Sequence, residues 1–176
     1  MCDKDGLRNK LKIKRKFFQG VQREFADYAI AQNFLSAYGH YDSFFIYNSF
    51  SSEADTHYII SRLLKEGKKV YLPRIEGENM VAVPYGETVK NNLGIEEPKG
   101  QAYLGKIDVC VIPLLAVNER GYRIGYGKGF YDKFLKKNET LKIGLGYFFQ
   151  IEEFEEDAWD ERLNGFVSEK GIYSYE

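Results

Sequence analysis

Hydrophobic residues recur every three or four positions through much of the stretch from residue 3 to residue 38, from Leu7 to Phe34. This spacing predicts amphipathic α-helix, because it puts the apolar side chains on one face. Gly20 interrupts the stretch, and glycine is a poor helix former. The pattern therefore predicts two consecutive helices that meet at Gly20.

Short apolar runs farther along the chain predict β-strands. The runs at 43–48 and 68–73 lie on either side of a helix-like stretch at 57–66, which is followed by Gly67. Glycine is the residue most often found where a helix ends. The order strand, helix, strand predicts one βαβ unit with parallel strands.

The remaining chain continues this alternation. Residues 80–85 alternate as in an edge strand, whereas residues 106–117 form the most continuous apolar stretch, as expected of a central strand buried on both faces. A helix is predicted over 130–137 and a further strand over 141–148. We therefore expect a single α/β domain over residues 1–176, with helices flanking a mostly parallel sheet and ligands beyond the carboxyl ends of its strands.

Composition excludes several classes of protein. The chain has 25 Lys and Arg residues against 26 Asp and Glu residues, so its overall charge does not favour nucleic acid or an anionic membrane surface. Its apolar runs are shorter than the roughly 20 residues that a transmembrane helix needs. Residues 1–10 lack the hydrophobic centre of a signal peptide, and Cys2 and Cys110 do not suggest a disulfide framework. We expect a cytoplasmic monomer with small-molecule partners.

The stretch RIGYGKGFYD, residues 123–132, suggests a more specific chemistry. Glycine occupies every second position from 125 to 129, and Arg123 and Lys128 add positive charge. A glycine-rich loop that leads into a helix exposes backbone N–H groups to an anion, which favours phosphate binding. The alternative is a glycine-rich hairpin with solvated charges, and the pattern alone leaves both open. Asp132 favours phosphate, because Mg²⁺ can bridge a carboxylate and phosphate oxygens.

The longer stretch NERGYRIGYGKGFYDKFL, residues 118–135, closely resembles the signature of 5-formyltetrahydrofolate cyclo-ligases, also called 5,10-methenyltetrahydrofolate synthetases. The segments KDGLR, SSEADT, LPRI, GIEEP and DERLNGFVSEKGI match the same family in the same order. The resemblance implies an ATP-dependent ring closure of 5-formyltetrahydrofolate that uses Mg²⁺. It also implies a fold similar to that of ribose-5-phosphate isomerases and CoA transferases.

The resemblance also implies which residues bind the nucleotide. Lys4 and Arg8 match a basic pair that reaches the phosphates, although both could instead be solvated charges on an amphipathic helix. The residues that match the nucleotide loop are Arg123, Ile124, Gly125, Tyr126, Gly127, Lys128, Gly129, Phe130 and Tyr131. Arg123 and Lys128 are expected to assist phosphoryl transfer from a solvent-accessible cleft, so that replacing either would leave stability nearly unchanged.

On the folate side, Glu53 is expected to bind the pterin, with Asn48 and Phe50 nearby. Tyr126 and Phe130 lie where the family meets the formyl-folate, and Tyr126, Phe130 and Tyr131 are the rings best placed to stack on the pterin. Thr56 also matches this stretch, but for Thr56 and the adjacent Asp55 helix capping is the favoured role.

The resemblance assigns Asp132 to the metal and implies a second aspartate near the carboxyl end. Asp157 and Asp160 both qualify, and counting back eight residues from Ser168 favours Asp160. The sequence does not determine nucleotide selectivity or the number of glutamates on the folate.

The implied reaction needs little from protein nucleophiles, because ATP itself can turn the formyl oxygen into a leaving group. This agrees with the sequence, in which His40 and His57 show no catalytic or metal-binding spacing and are interpreted as structural. Two other classes of function remain. One is a non-catalytic phosphate sensor on the same fold, and the other is a nucleic-acid module that uses the basic segment RNKLKIKRK, residues 8–16.

Overall fold

A computed structural model describes residues 3–176 of the chain. It contains two consecutive helices, α1 at Lys4–Phe17 and α2 at Val21–Tyr38. Gly20 precedes α2 with a φ of 76°, a backbone angle that glycine adopts without strain. The predicted helix pair and its division at Gly20 are confirmed.

Eleven strands and two further helices follow in these 174 described residues. The strands are β1 Ser43–Ile46, β2 Lys69–Glu76, β3 Asn79–Pro84, β4 Thr88–Lys90, β5 Glu96–Pro98, β6 Val109–Pro113, β7 Ala116–Val117, β8 Arg123–Ile124, β9 Leu141–Leu145, β10 Gly165–Ser168 and β11 Gly171–Ser174. The helices are α3 His57–Lys65 and α4 Phe130–Lys137, and a 3₁₀ turn spans Phe148–Gln150.

Seven of these strands form one sheet in the order β11-β10-β9-β6-β1-β2-β3. The inner pairs are parallel, whereas β3 and β11 run antiparallel at the two edges. The predicted βαβ unit is β1-α3-β2, and α3 is closed by Gly67, whose φ is 75° and whose N–H donates to the Leu64 carbonyl. A mostly parallel sheet flanked by helices, with residues 80–85 at its edge, is therefore confirmed.

The central strand β6 is buried on both faces, as predicted, because alternate residues enter different halves of the core. Val109 and Val111 pack in the half that includes residues of α2 and α3, while Cys110 and Ile112 pack in the half that includes residues of α4. The apolar run 106–117 is nevertheless not one strand. After Pro113 the chain leaves the sheet, and β7 pairs with β8 instead. Cys2 lies outside the described residues.

The parallel strands bring their carboxyl ends to one edge of the sheet, from which β6 leads into the β7–β8 hairpin and the glycine-rich loop. Helix α1 covers this hairpin, and Leu7 and Leu11 form a small apolar cluster there with Ala116 and Ile124. None of the helices in residues 3–176 is long and apolar enough to cross a membrane.

Candidate active site

The glycine-rich loop, residues 125–129, connects β8 to α4 at the carboxyl edge of the sheet. Gly127 has a φ of 92° and Gly129 a φ of 71°, so two of the three glycines adopt a conformation that other residues rarely take. Gly129 is also the residue at which α4 begins. Lys128 is exposed and makes no ion pair with any residue from 3 to 176. The loop thus presents glycine backbone and one cation without an ion-pair partner to solvent.

Helix α1 supplies two further cations, one that contacts this loop and one that contacts two carboxyl-terminal aspartates. Arg8 donates from Nε to the Gly125 carbonyl at 3.0 Å and pairs with Asp5. Lys4 Nζ lies 2.6 Å from Asp157 Oδ2 and 3.3 Å from Asp160 Oδ2. Burial lowers the pKa of Lys4, but the two carboxylates outweigh burial and the net shift is upward. Arg8 is therefore bonded to the loop and Lys4 to the carboxyl-terminal aspartates, so both have protein partners instead of being solvated charges on the helix surface.

Arg123 lies in β8, directly before the loop. Its Nη2 is 3.1 Å from Asp132 Oδ1, in the first turn of α4, and Nη1 donates to the Glu161 carbonyl at 3.4 Å. Only 8% of Arg123 is exposed. The expectation that its side chain lies at a solvent-accessible cleft was wrong, because α4 and the carboxyl-terminal segment cover it. Ile124 is also buried, so it can offer a ligand only its backbone.

Of the three candidate metal-binding aspartates, Asp157 and Asp160 contact each other, and the residue after Asp160 contacts Asp132. The Glu161 N–H donates to Asp132 Oδ1 at 3.3 Å, which places the residue after Asp160 against Asp132. The Asp160 side chain is 15% exposed and that of Asp157 is 43% exposed. No group of three or more potential metal ligands occurs in the described part of the chain. Two carboxylates fit Mg²⁺, which usually takes one or two from the protein and completes its coordination with phosphate and water.

Glu53 lies in the segment between β1 and α3 and contacts the loop through Tyr126. Its Oε2 accepts from the Phe50 N–H at 2.9 Å, and its Oε1 accepts from the Tyr126 hydroxyl at 2.9 Å. Burial raises the pKa of the Glu53 carboxyl, and these hydrogen bonds and the charge of Arg15 offset part of the rise. Asn48 is half-buried just beyond β1, and Phe50 is 54% exposed. The predicted folate residue Glu53 therefore contacts the predicted nucleotide loop at Tyr126.

The three aromatic residues that were predicted to contact the substrate differ in their solvent exposure. Tyr126 is 41% exposed, whereas Phe130 and Tyr131 are partly buried against the core. The Tyr131 ring lies 6.4 Å from that of Phe45, and burial raises the pKa of the Tyr131 phenol. Of these rings, Tyr126 is the most exposed to a ligand.

The capping prediction for Thr56 and Asp55 is confirmed in position and corrected in detail. Thr56 is the N-cap residue of α3, but its side chain makes no capping bond; its Oγ1 donates to the Tyr47 carbonyl and accepts from the Ser49 N–H. Asp55 Oδ1 accepts from the His57 N–H at 3.4 Å and lies 2.6 Å from His57 Nδ1. Thr56 thus links the start of α3 to the segment that follows β1.

Comparison with known proteins identifies the family. The sequence profile of the 5-formyltetrahydrofolate cyclo-ligase family matches residues 1–169. The chain belongs to the 5-formyltetrahydrofolate cyclo-ligase family. It is therefore an enzyme, a ligase, and the non-catalytic phosphate sensor considered above is set aside.

Individual relatives agree with this assignment. The 5-formyltetrahydrofolate cyclo-ligase of Escherichia coli K12 is 33% identical over 144 residues, which cover 74% of this chain and 79% of that protein. The cyclo-ligase of Mycoplasma genitalium is 28% identical over 181 residues, covering 93% and 96%. The solved structure of Aquifex aeolicus 5,10-methenyltetrahydrofolate synthetase is 30% identical with a TM-score of 0.85, covering 97% of this chain and 92% of that chain.

One residue of this cyclo-ligase escaped the sequence analysis. Arg15 entered that analysis only as part of the basic segment 8–16 that could bind nucleic acid, yet only 4% of it is exposed. Its guanidinium donates to the Ser52 hydroxyl, the Leu114 carbonyl and the Tyr126 hydroxyl. A signal was present, because Arg15 follows Leu7 and Leu11 at four-residue intervals and so shares the buried face of the helix.

Proposed function

We propose that the enzyme closes 5-formyltetrahydrofolate to 5,10-methenyltetrahydrofolate while converting ATP to ADP and phosphate. The observation that carries this proposal is the 2.9 Å hydrogen bond from the Tyr126 hydroxyl to Glu53. It joins the candidate phosphate loop to the candidate pterin-binding carboxylate. A nucleotide phosphate and a folate bound at these two places would therefore lie next to each other, as direct phosphoryl transfer requires.

The substrate's chemistry explains the need for ATP. The N5-formyl group is a formamide, and its carbon is a poor electrophile because the nitrogen lone pair is delocalised over the carbonyl. In our scheme the formyl oxygen attacks the γ-phosphorus and ADP leaves. N10 then attacks the activated carbon, the C–O bond breaks, and phosphate departs as N10 loses its proton. The oxygen thus leaves as phosphate rather than as hydroxide.

The proposed nucleotide side consists of cations and backbone donors. The γ-phosphoryl group passes through a loose, anionic transition state, which positive charge and N–H groups stabilise. Lys128 is free to reach it, and the loop around Gly127 would present backbone N–H groups. Lys4 and Arg8 would contact the remaining phosphates. Arg123 is enclosed, so its part is to orient Asp132 and the base of the loop.

Asp132 and Asp160 are the residues that would hold Mg²⁺ in this scheme. When bound, the ion would neutralise phosphate charge and orient the oxygens for transfer. Because Arg123 pairs with Asp132 and Lys4 pairs with Asp160, each carboxylate already has a cation beside it. Lys4 is the more exposed of the two partners, with 24% of its side chain accessible against 5% for Arg123, and could turn from Asp160 to a phosphate.

Glu53 is the proposed anchor for the folate. An ionised carboxylate accepts hydrogen bonds from the amino and ring N–H groups of a pterin, and charge-assisted bonds of this kind are stronger than neutral ones. Tyr126 and the exposed Phe50 would offer ring faces to the substrate, and Asn48 and Phe130 would complete the proposed folate contacts. The cytoplasmic location and monomeric state inferred from the sequence remain predictions.

The test is a direct assay with purified protein, Mg·ATP and 5-formyltetrahydrofolate. We expect the near-ultraviolet absorbance of the methenyl product to grow, together with one ADP for each product. Omitting ATP, replacing it with a non-hydrolysable analogue, or chelating Mg²⁺ should each abolish the signal. Product that forms at the same rate without ATP would contradict the proposal, and so would ADP release that does not need the folate.

A further inference from the structure

Arg15 is an unusual residue to find inside this protein. It is a buried cation, yet no carboxylate among residues 3–176 lies within ion-pair distance of it. Buried arginines are ordinarily paired with an acidic group. All three of its recorded partners are neutral: Ser52 Oγ at 3.2 Å, the Leu114 carbonyl at 3.2 Å and the Tyr126 hydroxyl at 2.8 Å.

Tyr126 links Arg15 to the carboxylate of Glu53 by two hydrogen bonds. The Tyr126 oxygen accepts from Arg15 Nη2, so the single phenolic proton is free to point elsewhere. It points to Glu53 Oε1 at 2.9 Å. The result is a directed chain of hydrogen bonds from Arg15 through Tyr126 to Glu53.

The chain spans three separate parts of the fold. Arg15 lies near the end of α1, Tyr126 in the glycine-rich loop, and Glu53 between β1 and α3. The Arg15 guanidinium is also held by the Leu114 carbonyl, just after the central strand, and this contact restrains its position. A planar guanidinium with several fixed N–H directions can satisfy such partners at once, whereas a lysine ammonium on a flexible stem cannot hold the same geometry.

We propose that Arg15 is a positioning residue for folate binding, which orients the Tyr126 hydroxyl so that Glu53 is held in place for the pterin. This inference rests on the proposed function, since it assigns a new part to the same site. Arg15 itself contacts neither substrate. It acts by fixing the direction of one phenolic proton and by placing a positive charge near the Glu53 carboxylate.

The positive charge of Arg15 should also influence the pKa of Glu53, an effect that a purely structural role would not have. Burial raises the pKa of Glu53, and Arg15 is among the groups that lower it. The other groups that face this carboxylate are the Phe50 N–H, Tyr126, and the buried phenols of Tyr47 and Tyr131. None of these carries a positive charge, so Arg15 is the cation that favours ionised Glu53.

A double-mutant cycle on folate affinity tests the proposal. Isothermal titration with 5-formyltetrahydrofolate, without nucleotide, is carried out on wild type, Arg15→Lys, Tyr126→Phe and the double variant. Each single variant should raise Kd on the order of 10-fold, as expected for a hydrogen bond to a charged group. The double variant should lose no more affinity than the weaker-binding single variant, because both changes break the same chain. Losses that simply multiply would overturn the proposal.

Controls separate this outcome from general damage. Lys16→Met removes a neighbouring exposed cation of α1 and should leave Kd unchanged. Arg15→Gln, which leaves no buried charge, enters the same cycle and replaces Arg15→Lys if that variant fails a thermal melt. Arg15→Gln should also move the loss of folate binding to higher pH, whereas Arg15→Lys should not. An unchanged Kd in both Arg15 variants would refute the positioning role. Wild-type protein that binds no folate would instead refute the proposed function.

Discussion

Arg123 Nη2 lies 3.1 Å from Asp132 Oδ1, and this pair connects β8 to the first turn of α4 on either side of the glycine-rich loop. The arginine side chain is 5% exposed and the aspartate side chain 27% exposed. Both ends of the loop are therefore held by one largely buried ion pair. Mutations at these two positions should affect stability as well as catalysis.

Asp132→Asn should weaken the use of Mg·ATP far more than it weakens folate binding, because the metal loses a carboxylate ligand. The amide also leaves Arg123 without its counter-ion, which should cost roughly 1–3 kcal/mol of folding free energy. Titration of activity with Mg²⁺ and a chemical denaturation curve measure the two effects. Unchanged turnover and unchanged Mg²⁺ dependence would show that the metal assignment is wrong.

Asp160→Asn and Asp157→Asn form a matched pair for the second metal position. Both carboxylates contact Lys4, so each variant loses one partner of the same ammonium group. We expect the Asp160 variant to show the stronger Mg²⁺ defect, since its side chain is the less exposed of the two. The reverse order in an activity titration would assign the second ligand to Asp157.

Lys128→Met should lower kcat on the order of 10²-fold if the ammonium meets charge that develops during phosphoryl transfer. Because Lys128 is exposed, the melting curve of this variant should nearly coincide with that of wild type. We expect its free energy of unfolding to change by about 0.5 kcal/mol or less. Arg123→Met should differ: it leaves the partly buried Asp132 without its counter-ion, and this variant should melt at a lower temperature. Coincident melting curves for both variants would contradict the enclosed position of Arg123.

Glu53→Gln should impair folate binding and leave nucleotide affinity near that of wild type. The loss should be about 1.5–3 kcal/mol, the worth of a charge-assisted hydrogen bond. Calorimetric titration with each ligand alone would show the difference. If only ATP binding were lost, Glu53 would belong to the nucleotide side.

The pH dependence of folate binding should follow the same carboxylate. Burial raises the folded-state pKa of Glu53, so its proton returns at a higher pH than in the unfolded chain. Folate affinity should therefore fall as pH decreases through that raised pKa, and this dependence of affinity on pH should be weaker in Glu53→Gln.

The contribution of Glu53 to folding stability should change in the opposite sense. The protonated carboxyl favours the folded state, and this contribution is lost as pH rises through the folded-state pKa. A wild-type affinity that does not change with pH would contradict the role of an ionised Glu53.

Gly127→Ala should nearly abolish activity without changing any charge. A φ of 92° is strained for alanine, and the loop would have to shift from its phosphate-binding conformation. The matched control is Gly67→Ala, which imposes similar strain at a φ of 75° at the end of α3, away from the loop. Both variants should lose about 1–2 kcal/mol of stability, but only Gly127→Ala should lose turnover. Full activity in Gly127→Ala would remove the loop from phosphate binding.

The four helices, five of the seven strands of the sheet, the mostly parallel arrangement with β6 at its centre, and the family were evident from the chain itself, whereas β10 and β11 were not predicted. Local periodicity is enough for these features, since a helix or a buried strand repeats its own apolar pattern. The signature around residues 118–135 is likewise local. The break between β6 and β7 was not evident, because residues on both sides of it are apolar and buried.

Tertiary structure alone decided which charges are enclosed and which are free. Arg123, Lys128 and Arg15 look alike in a sequence, but only Lys128 is exposed, while Arg123 is covered by α4 and Arg15 by the segments that contain Ser52 and Leu114. The bond between Tyr126 and Glu53 joins positions 73 residues apart. No local pattern encodes such a contact, because it depends on how the strands order themselves in the sheet and bring distant loops to one edge. The sequence by itself therefore determined the fold class, the family and most of the candidate residues. Their burial, their partners and the position of Arg15 were decided by packing.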